Sequence, residues 1–303
     1  MSAIELRNVT KSFGSHVAVT DLSLSVPEGC VYGFIGPNGS GKTTTLRMIM
    51  NILYPDSGEI RIFGESIRSS RCDRIGYMPE ERGLYQRMKV RDVLIFFGGL
   101  KNDHNIKSRV DQWLERMDLT KWAYQKVETL SKGMSQKVQF IATVVSQPKL
   151  IILDEPFTGL DPVNNEVLKD AVLELQDQGT TVIFSTHDMN MAERMCDFIF
   201  MIFKGQKVLD GTLISIQDRY ANDTIHVQTE QGVHVLNHIE GIDKINDYGN
   251  VQELRITSAA DPQVILKTIM ERTRVYSFNL VKPSLHDIFI RIAGVEARGN
   301  NHA

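Results

Sequence analysis

Residues 30–44 leave this chain little freedom. A short apolar run, Cys30–Ile35, feeds Gly36-Pro37-Asn38-Gly39-Ser40-Gly41-Lys42-Thr43, and from Thr44 onward a helical pattern places Leu46, Ile49, Met50 and Leu53 on one face. The spacing is GxxxxGK[ST]. Glycines at those positions let backbone N–H groups turn inward, and the helix that follows offers its positive N-terminus to an anion. A strand before the loop and a helix after it make Gly36 through Thr44 a phosphate-binding loop rather than a chance glycine turn. Lys42 is expected to neutralise β and γ phosphates, and the Thr43 hydroxyl to ligate Mg²⁺.

A second run, Leu150-Ile151-Ile152-Leu153, is strand-like and ends in Asp154 and Glu155. Ionised carboxylates at the end of an apolar strand need a cation or water. Asp154 is expected to hold Mg²⁺, directly or through water, and Glu155 to polarise an attacking water as general base. Together the two motifs point to a nucleoside-triphosphate hydrolase of the P-loop class, with ATP or GTP as substrate.

The rest of the chain reads as alternating elements. Ile4–Val9 and Val17–Val26 are expected strands, and Pro55–Gly58 ends the first helix before a strand at Glu59–Phe63. Helical periodicity runs from about Val90 to Gln147: Val90–Leu100, Val110–Met117, and Ser131–Ser146, which opens on a capping serine and stops at Pro148. A helix over Asn164–Gln178, a strand at Thr181–Ser185 and a hairpin of Phe198–Phe203 with Lys207–Leu209 follow. Strands alternating with helices call for a sheet covered by helices. After about Gln217 the texture changes to short alternating segments at Thr224–Gln228, Val233–Leu236 and Val251–Ile256. A helix over Pro262–Glu271, a strand over Val275–Leu280 and a helix over Ser284–Ile292 complete this part. We expect an α/β domain over residues 1–216 with a helical subdomain near 88–147, a small α+β domain over 217–296, and a frayed tail at 297–303.

Composition limits the function classes. The hydrophobic fraction is 42%, the charged fraction 23% and the net charge −3, which gives no basic footprint for nucleic acid. No apolar run approaches the ~18 residues of a membrane span, so the chain is not expected to form a pore itself. Cys30, Cys72 and Cys196 are far apart and form no CxxC pair, which argues for inert thiols rather than a disulfide framework or zinc site.

Further positions narrow the class. Leu130-Ser131-Lys132-Gly133-Met134 resembles the LSGGQ signature of ATP-binding cassette (ABC) ATPases. Gly159-Leu160-Asp161-Pro162 is similar to that family's D-loop, His187 to its switch histidine, and Phe13 to the aromatic that stacks on adenine. The order of all six motifs resembles the ABC family across residues 1–216. The resemblance implies a P-loop NTPase fold of the ABC type, a mixed sheet core with a helical subdomain. It implies ATP and Mg²⁺ as ligands, held between two cassettes. Ser131 and the Gly133 N–H would contact the γ phosphate of the opposite subunit, His187 would contact it in cis, and Asp161 would couple the two sites. It also implies a separate transmembrane permease, a second ATPase cassette (identical or related), and a peripheral position on the cytoplasmic face of the membrane.

Two departures stand out. Lys132 and Met134 replace residues of LSGGQ, while the serine and second glycine remain. Glu80 stands where most of the family carries a glutamine. As a carboxylate it would ligate Mg²⁺ or orient water, or it is a solvated loop acid paired with Arg82. The run Pro79-Glu80-Glu81-Arg82-Gly83-Leu84-Tyr85 resembles bacterial exporter ATPases typified by sodium-extrusion ATPases, and the ending Pro283-Ser284-Leu285-His286-Asp287-Ile288-Phe289 resembles the accessory C-terminal domain often found in that subgroup. The alternative is a soluble ABC ATPase acting on ribosomes or nucleic acid. The stretch from Lys42 to Ser131 is too short for the long coiled coil of the DNA-repair type, and one cassette without a basic linker does not match the translation type.

Overall fold

The computed structural model describes residues 1–67, 74–81, 83–100, 105–220, 224–257 and 260–299, with side chains to 293. Cys72, Arg82 and the tail residues 300–303 lie outside that set. The chain divides into two compact units, Met1–Thr212 and Leu213–Ala303.

The first unit opens with two long antiparallel strands, β1 (Ser2–Phe13) and β2 (His16–Pro27), followed by β3 (Val31–Ile35) and helix α1 (Lys42–Ile49). Strands β4 (Ser57–Ile62), β5 (Glu65–Ser66) and β6 (Ile75–Met78) come next. Then come helices α2 (Val90–Gly99), α3 (Ile106–Arg116) and α4 (Lys132–Val144). The unit finishes with β7 (Leu150–Asp154), α5 (Pro162–Asp177), β8 (Thr181–Thr186), α6 (Met189–Met195), β9 (Phe198–Phe203) and β10 (Gln206–Gly211). Two sheets result, one ordered β2-β1-β4-β5 and the other β10-β9-β3-β8-β7-β6. The first is antiparallel; in the second every pairing is parallel except β9 with β10.

Burial explains the sequence texture. Every residue of β3, β7 and β8 is buried, so these strands read as continuous apolar runs rather than alternations. In β1 and β2 only part of the residues are buried, and the alternation survives. Both sheets share one core with α1: Ile4, Leu6, Val26 and Ile62 meet Tyr32, Phe34, Ile183 and Phe200, with Leu46, Met48 and Ile49 from the helix. The sheet order places β8 between β3 and β7, so the loops after all three leave from one end of the sheet. That end is where ligands bind in open parallel sheets.

Helices α2, α3 and α4 pack through Val93, Leu94, Val110, Leu114, Phe140 and Ile141, all fully or nearly fully buried, and the rings of Trp113 and Phe140 meet edge-on at 5.8 Å. Strand β6 packs on α4 because Gly76 has no side chain; a Cβ there would stand 2.8 Å from the Thr143 carbonyl.

The second unit contains α7 (Leu213–Arg219), β11 (Thr224–Thr229), β12 (Ile242–Asp247), β13 (Gln252–Ile256), α8 (Pro262–Arg272), β14 (Val275–Leu280) and α9 (Leu285–Gly299). Its sheet is ordered β12-β13-β11-β14 and is antiparallel throughout. Ile225, Val227, Leu254, Ile256, Ile265 and Ile269 form a separate core.

Several expected elements differ. Helix α1 stops at Ile49 because Asn51 takes a left-handed φ of 56°, so Leu53 falls outside it. Val233–Leu236, expected as a strand, is a 3₁₀ turn over Gly232–Leu236, entered through Gly232 at φ 65°. Strand β12 was not expected: as an edge strand it exposes Asp243 and Lys244, which hides the alternation. Helix α6 was also missed; it is short and starts from the Asp188 cap. Helix α9 continues to Gly299, past the expected start of the tail. Among the described residues no helix is long and apolar enough to cross a membrane.

Replacing Gly76 by valine would push β6 off α4. Gly76→Val is expected to lower the stability of the first unit by about 1–3 kcal/mol, read as a lower urea midpoint for its unfolding.

Candidate nucleotide-binding site

Three glycines shape the loop after β3. Gly36, Gly39 and Gly41 have φ of 156°, 76° and 108°, all in the region that side chains disfavour. Gly36 and Gly41 are also crowded, since a Cβ would lie 2.3 Å from the Ile202 carbonyl and 2.6 Å from that of Ala18. Gly41 is the N-cap of α1 and offers no side chain to cap it, which leaves the helix's first N–H groups for an anion. Lys42 is buried, and its ammonium donates to the carbonyls of Gly36 (2.6 Å) and Pro37 (3.1 Å). Burial pulls its pKa below the ordinary lysine range, while Glu155, Asp154 and Glu80 pull it back up.

The two acids sit at the end of β7. Asp154 is 2% exposed and accepts a hydrogen bond from the Ser185 hydroxyl, its register partner on β8. Successive strand residues point to opposite faces. Glu155 leaves the strand at φ 50°, a rare conformation for a non-glycine residue, and both carboxylates line the same pocket. The Glu155 N–H donates to the Ser185 carbonyl at 3.1 Å, which ties this bend to β8. Its carboxylate accepts the His187 backbone N–H at 3.1 Å, and Nδ1 of His187 lies 2.9 Å from the same oxygen.

A pocket of about 370 Å³ collects much of this chemistry: Phe13, Asn38 to Thr44, Glu80, Asp154 and Glu155. Phe13 is half exposed at the β1–β2 hairpin, paired across the strands with His16. Gly36 and Pro37 contribute the carbonyls that hold Lys42. His187 joins through Glu155. The structure does not bring the other three expected positions into this pocket. Ser131 is the N-cap of α4 and accepts from the Met134 N–H at 3.2 Å. Gly133 lies beside the D-loop, where a Cβ would stand 3.3 Å from Leu160 Cδ2. Asp161 caps α5, accepting from the N–H groups of Val163 and Asn164 at 3.0 Å each; those bonds, Asn164's first, hold its carboxyl below the usual range. The Glu80–Arg82 pairing lies outside the described residues.

Sequence reading missed His16 and Ala18 on the pocket wall, Ser185 beside Asp154, and two buried glutamines of α4, Gln136 and Gln139. Ser185 had been placed on a strand, but its pairing with Asp154 depends on the sheet order. Both Cys30 and Cys196 are free thiols, and burial pushes Cys30 up to about 12 and Cys196 also upward.

The walls bring three carboxylates, Glu80, Asp154 and Glu155, against the ammonium of Lys42. That excess of negative charge, with the Thr43 hydroxyl beside it, fits a hard divalent cation such as Mg²⁺. Among the described residues no three His, Cys, Asp or Glu side chains form a cage for a metal.

Lys42→Ala removes the charge aimed at the phosphates. Titration with MgATP is expected to show affinity about 10- to 100-fold weaker, the worth of a charged hydrogen bond.

Residues 19–158 match the ABC transporter family, and residues 211–293 match the C-terminal domain of ATP-binding proteins like DrrA1-3. The chain is 39% identical to the uncharacterised ABC transporter ATP-binding protein YhaQ of Bacillus subtilis over 293 residues, covering 96% of this chain and 98% of that one. It is 31% identical over 307 residues to the linearmycin resistance ATP-binding protein LnrL of Bacillus subtilis, covering 96% and 98%. Similarity to the Nod factor export ATP-binding protein I of Burkholderia lata is 31% over 303 residues, covering 98% of each. Among solved structures, an ATP-binding subunit of an ABC transporter superposes with a TM-score of 0.68 at 27% identity, over 72% of this chain and 93% of that one. The cbiO1 protein of Clostridium perfringens, part of the ABC transporter complex cbiONQ, gives 0.65 at 26% identity, over 72% and 92%. With the phosphate loop, the paired acids and these likenesses together, the chain belongs to the ABC transporter ATP-binding proteins and is an ATPase subunit of that kind.

Proposed function

We propose that the chain hydrolyses ATP in a site shared between two cassettes, beneath a separate transmembrane permease on the cytoplasmic face of the membrane, and that it powers export. The division of the motif residues carries this reading. One chain's pocket gathers the phosphate loop, Phe13, Glu80, Asp154 and Glu155, whereas Ser131, Gly133 and Asp161 lie outside it at the starts of α4 and α5. A nucleotide in the pocket therefore has one wall open, and the N-terminus of a partner's α4 is the element with N–H groups to close it.

Within that arrangement Lys42 and the loop N–H groups bind the β and γ phosphates, and Phe13 offers its exposed ring to adenine. Thr43, Asp154 and Glu80 hold Mg²⁺, which when bound neutralises charge on the phosphates. Glu155 takes a proton from the attacking water onto its carboxylate. His187, on the same carboxylate oxygen, orients it and contacts the γ phosphate. Asp161, fixed by its capping bonds, reports the state of one site to the other. Binding of the second cassette becomes conditional on ATP.

Support for export comes from the relatives, whose names include Nod factor export and linearmycin resistance. The Pro79–Tyr85 run that resembles sodium-extrusion ATPases, and the ending that resembles their accessory domain, belong to the same reading, with the substrate itself selected in the permease. We assign Met1–Thr212 to the cassette, with the helical subdomain near 88–147, and the unit that follows to an accessory domain, since the expected boundary after residue 216 would divide α7.

Glu155→Gln retains size and loses the base. Turnover is expected to fall about 10²- to 10⁴-fold with MgATP binding nearly intact, and light scattering should show a dimer that persists in ATP. Near-normal turnover would remove Glu155 from the role of base.

A further inference from the structure

Helix α4 is polar in sequence yet buried in the fold. Ser135, Gln136, Lys137 and Gln139 are each no more than 7% exposed. Burying a primary amide is costly unless its hydrogen bonds are made. Gln136 Nε2 donates to the carbonyl of Pro156, the residue after Glu155, at 2.9 Å. Gln139 Nε2 donates to the carbonyls of Pro79 at 2.8 Å and Glu81 at 3.3 Å, which flank Glu80 on both sides. Residues three apart share a helix face, so one face of α4 touches the loops of two pocket acids.

We propose that Gln139 is the positioning residue for Glu80: its amide, fixed in α4, holds the carbonyls before and after Glu80 and so sets where that carboxylate stands in the pocket. The proposal rests on Glu80 acting at the nucleotide. Both partners of Gln139 are carbonyls, so only the NH₂ group can face them and the amide has one orientation, which leaves its Oε1 buried without a hydrogen bond among the described residues. Pro79 has no N–H, so its carbonyl is the polar handle its backbone offers. Pro79–Glu81 belongs to neither helix nor strand, and nothing in a ladder fixes it. Strand β6, which delivers the segment, already lies against α4 at Gly76. Gln139 is eight residues from the Ser131 cap, about 12 Å along the helix. A shift of α4 at its signature end thus reaches Glu80 through a side-chain amide rather than along the main chain.

The test is a double-mutant cycle on the full chain, with steady-state MgATP hydrolysis and MgATP titration as readouts. Gln139→Met removes the donors at nearly constant volume. It is expected to lower kcat about 5- to 50-fold, the scale of a small misplacement of a reacting group, while MgATP affinity stays within about twofold. Combined with Glu80→Ala it should add nothing to the loss caused by Glu80→Ala alone. If the two losses multiply, or if Gln139→Met acts on affinity rather than kcat, the proposal is overturned and the role of Glu80 stands. Unchanged kcat and Mg²⁺ dependence in Glu80→Ala would overturn the role of Glu80 and this proposal with it. Should thermal unfolding show that Gln139→Met does not fold, Gln139→Leu lacks the donors and carries no charge, and the cycle is read with that variant.

Discussion

A buried ammonium set against three carboxylates governs this molecule. Lys42 is withdrawn from water at the start of α1, and Glu80, Asp154 and Glu155 stand on the same pocket wall. Desolvation disfavours the buried charges of Lys42, Asp154 and Glu155 separately, so they persist because opposite charges and hydrogen-bond partners face one another, while Glu80 stays exposed at the rim. The lysine rests on the carbonyls of Gly36 and Pro37, Asp154 accepts from Ser185, and Glu155 accepts from His187. In the proposed reading a polyphosphate and a divalent cation would add charges of both signs to this cluster, so the protein's charge balance and its ligand are one problem.

Sheet order is the device that assembles the cluster. Strands β3 and β7, which deliver the lysine and the two acids, are not neighbours. Strand β8 lies between them and supplies Ser185, Thr186 and, just after it, His187. The bend at Glu155, at a φ of 50°, is held by the Ser185 carbonyl. Local strain at the acid is thus supported by a hydrogen bond that the Glu155 N–H donates to the intervening strand.

Helix α4 shows how the same economy extends outward. A run as polar as Lys132–Gln139 would ordinarily face solvent. Here its amides and lysine are spent on backbone carbonyls: Gln136 on Pro156, Gln139 on Pro79 and Glu81, Lys137 on Met117. The helix is a strut tied to irregular segments, two of which border acids of the pocket, and its polarity is the means of attachment.

What the sequence determined by itself was whatever depends on neighbours along the chain. The glycine loop with Lys42 and Thr43, the buried strand ending at Asp154 and the Ser131 cap were legible because loop geometry and helix starts are set within a few residues; the Asp161 cap was not, since the periodicity starts that helix only at Asn164. The α/β character followed from strands and helices in alternation, and the match of the whole motif series to the ABC family was visible in order and spacing. Tertiary structure decided the rest. Edge strand β12 and the 3₁₀ turn at Gly232–Leu236 were hidden because their burial depends on partners distant in sequence. The separation of β3 from β7 by β8, the pairing of Ser185 with Asp154, and the burial of Gln136 and Gln139 all arise from packing between elements. A residue's neighbours across a sheet or beneath a helix are chosen by the fold, and no periodicity along the chain records them.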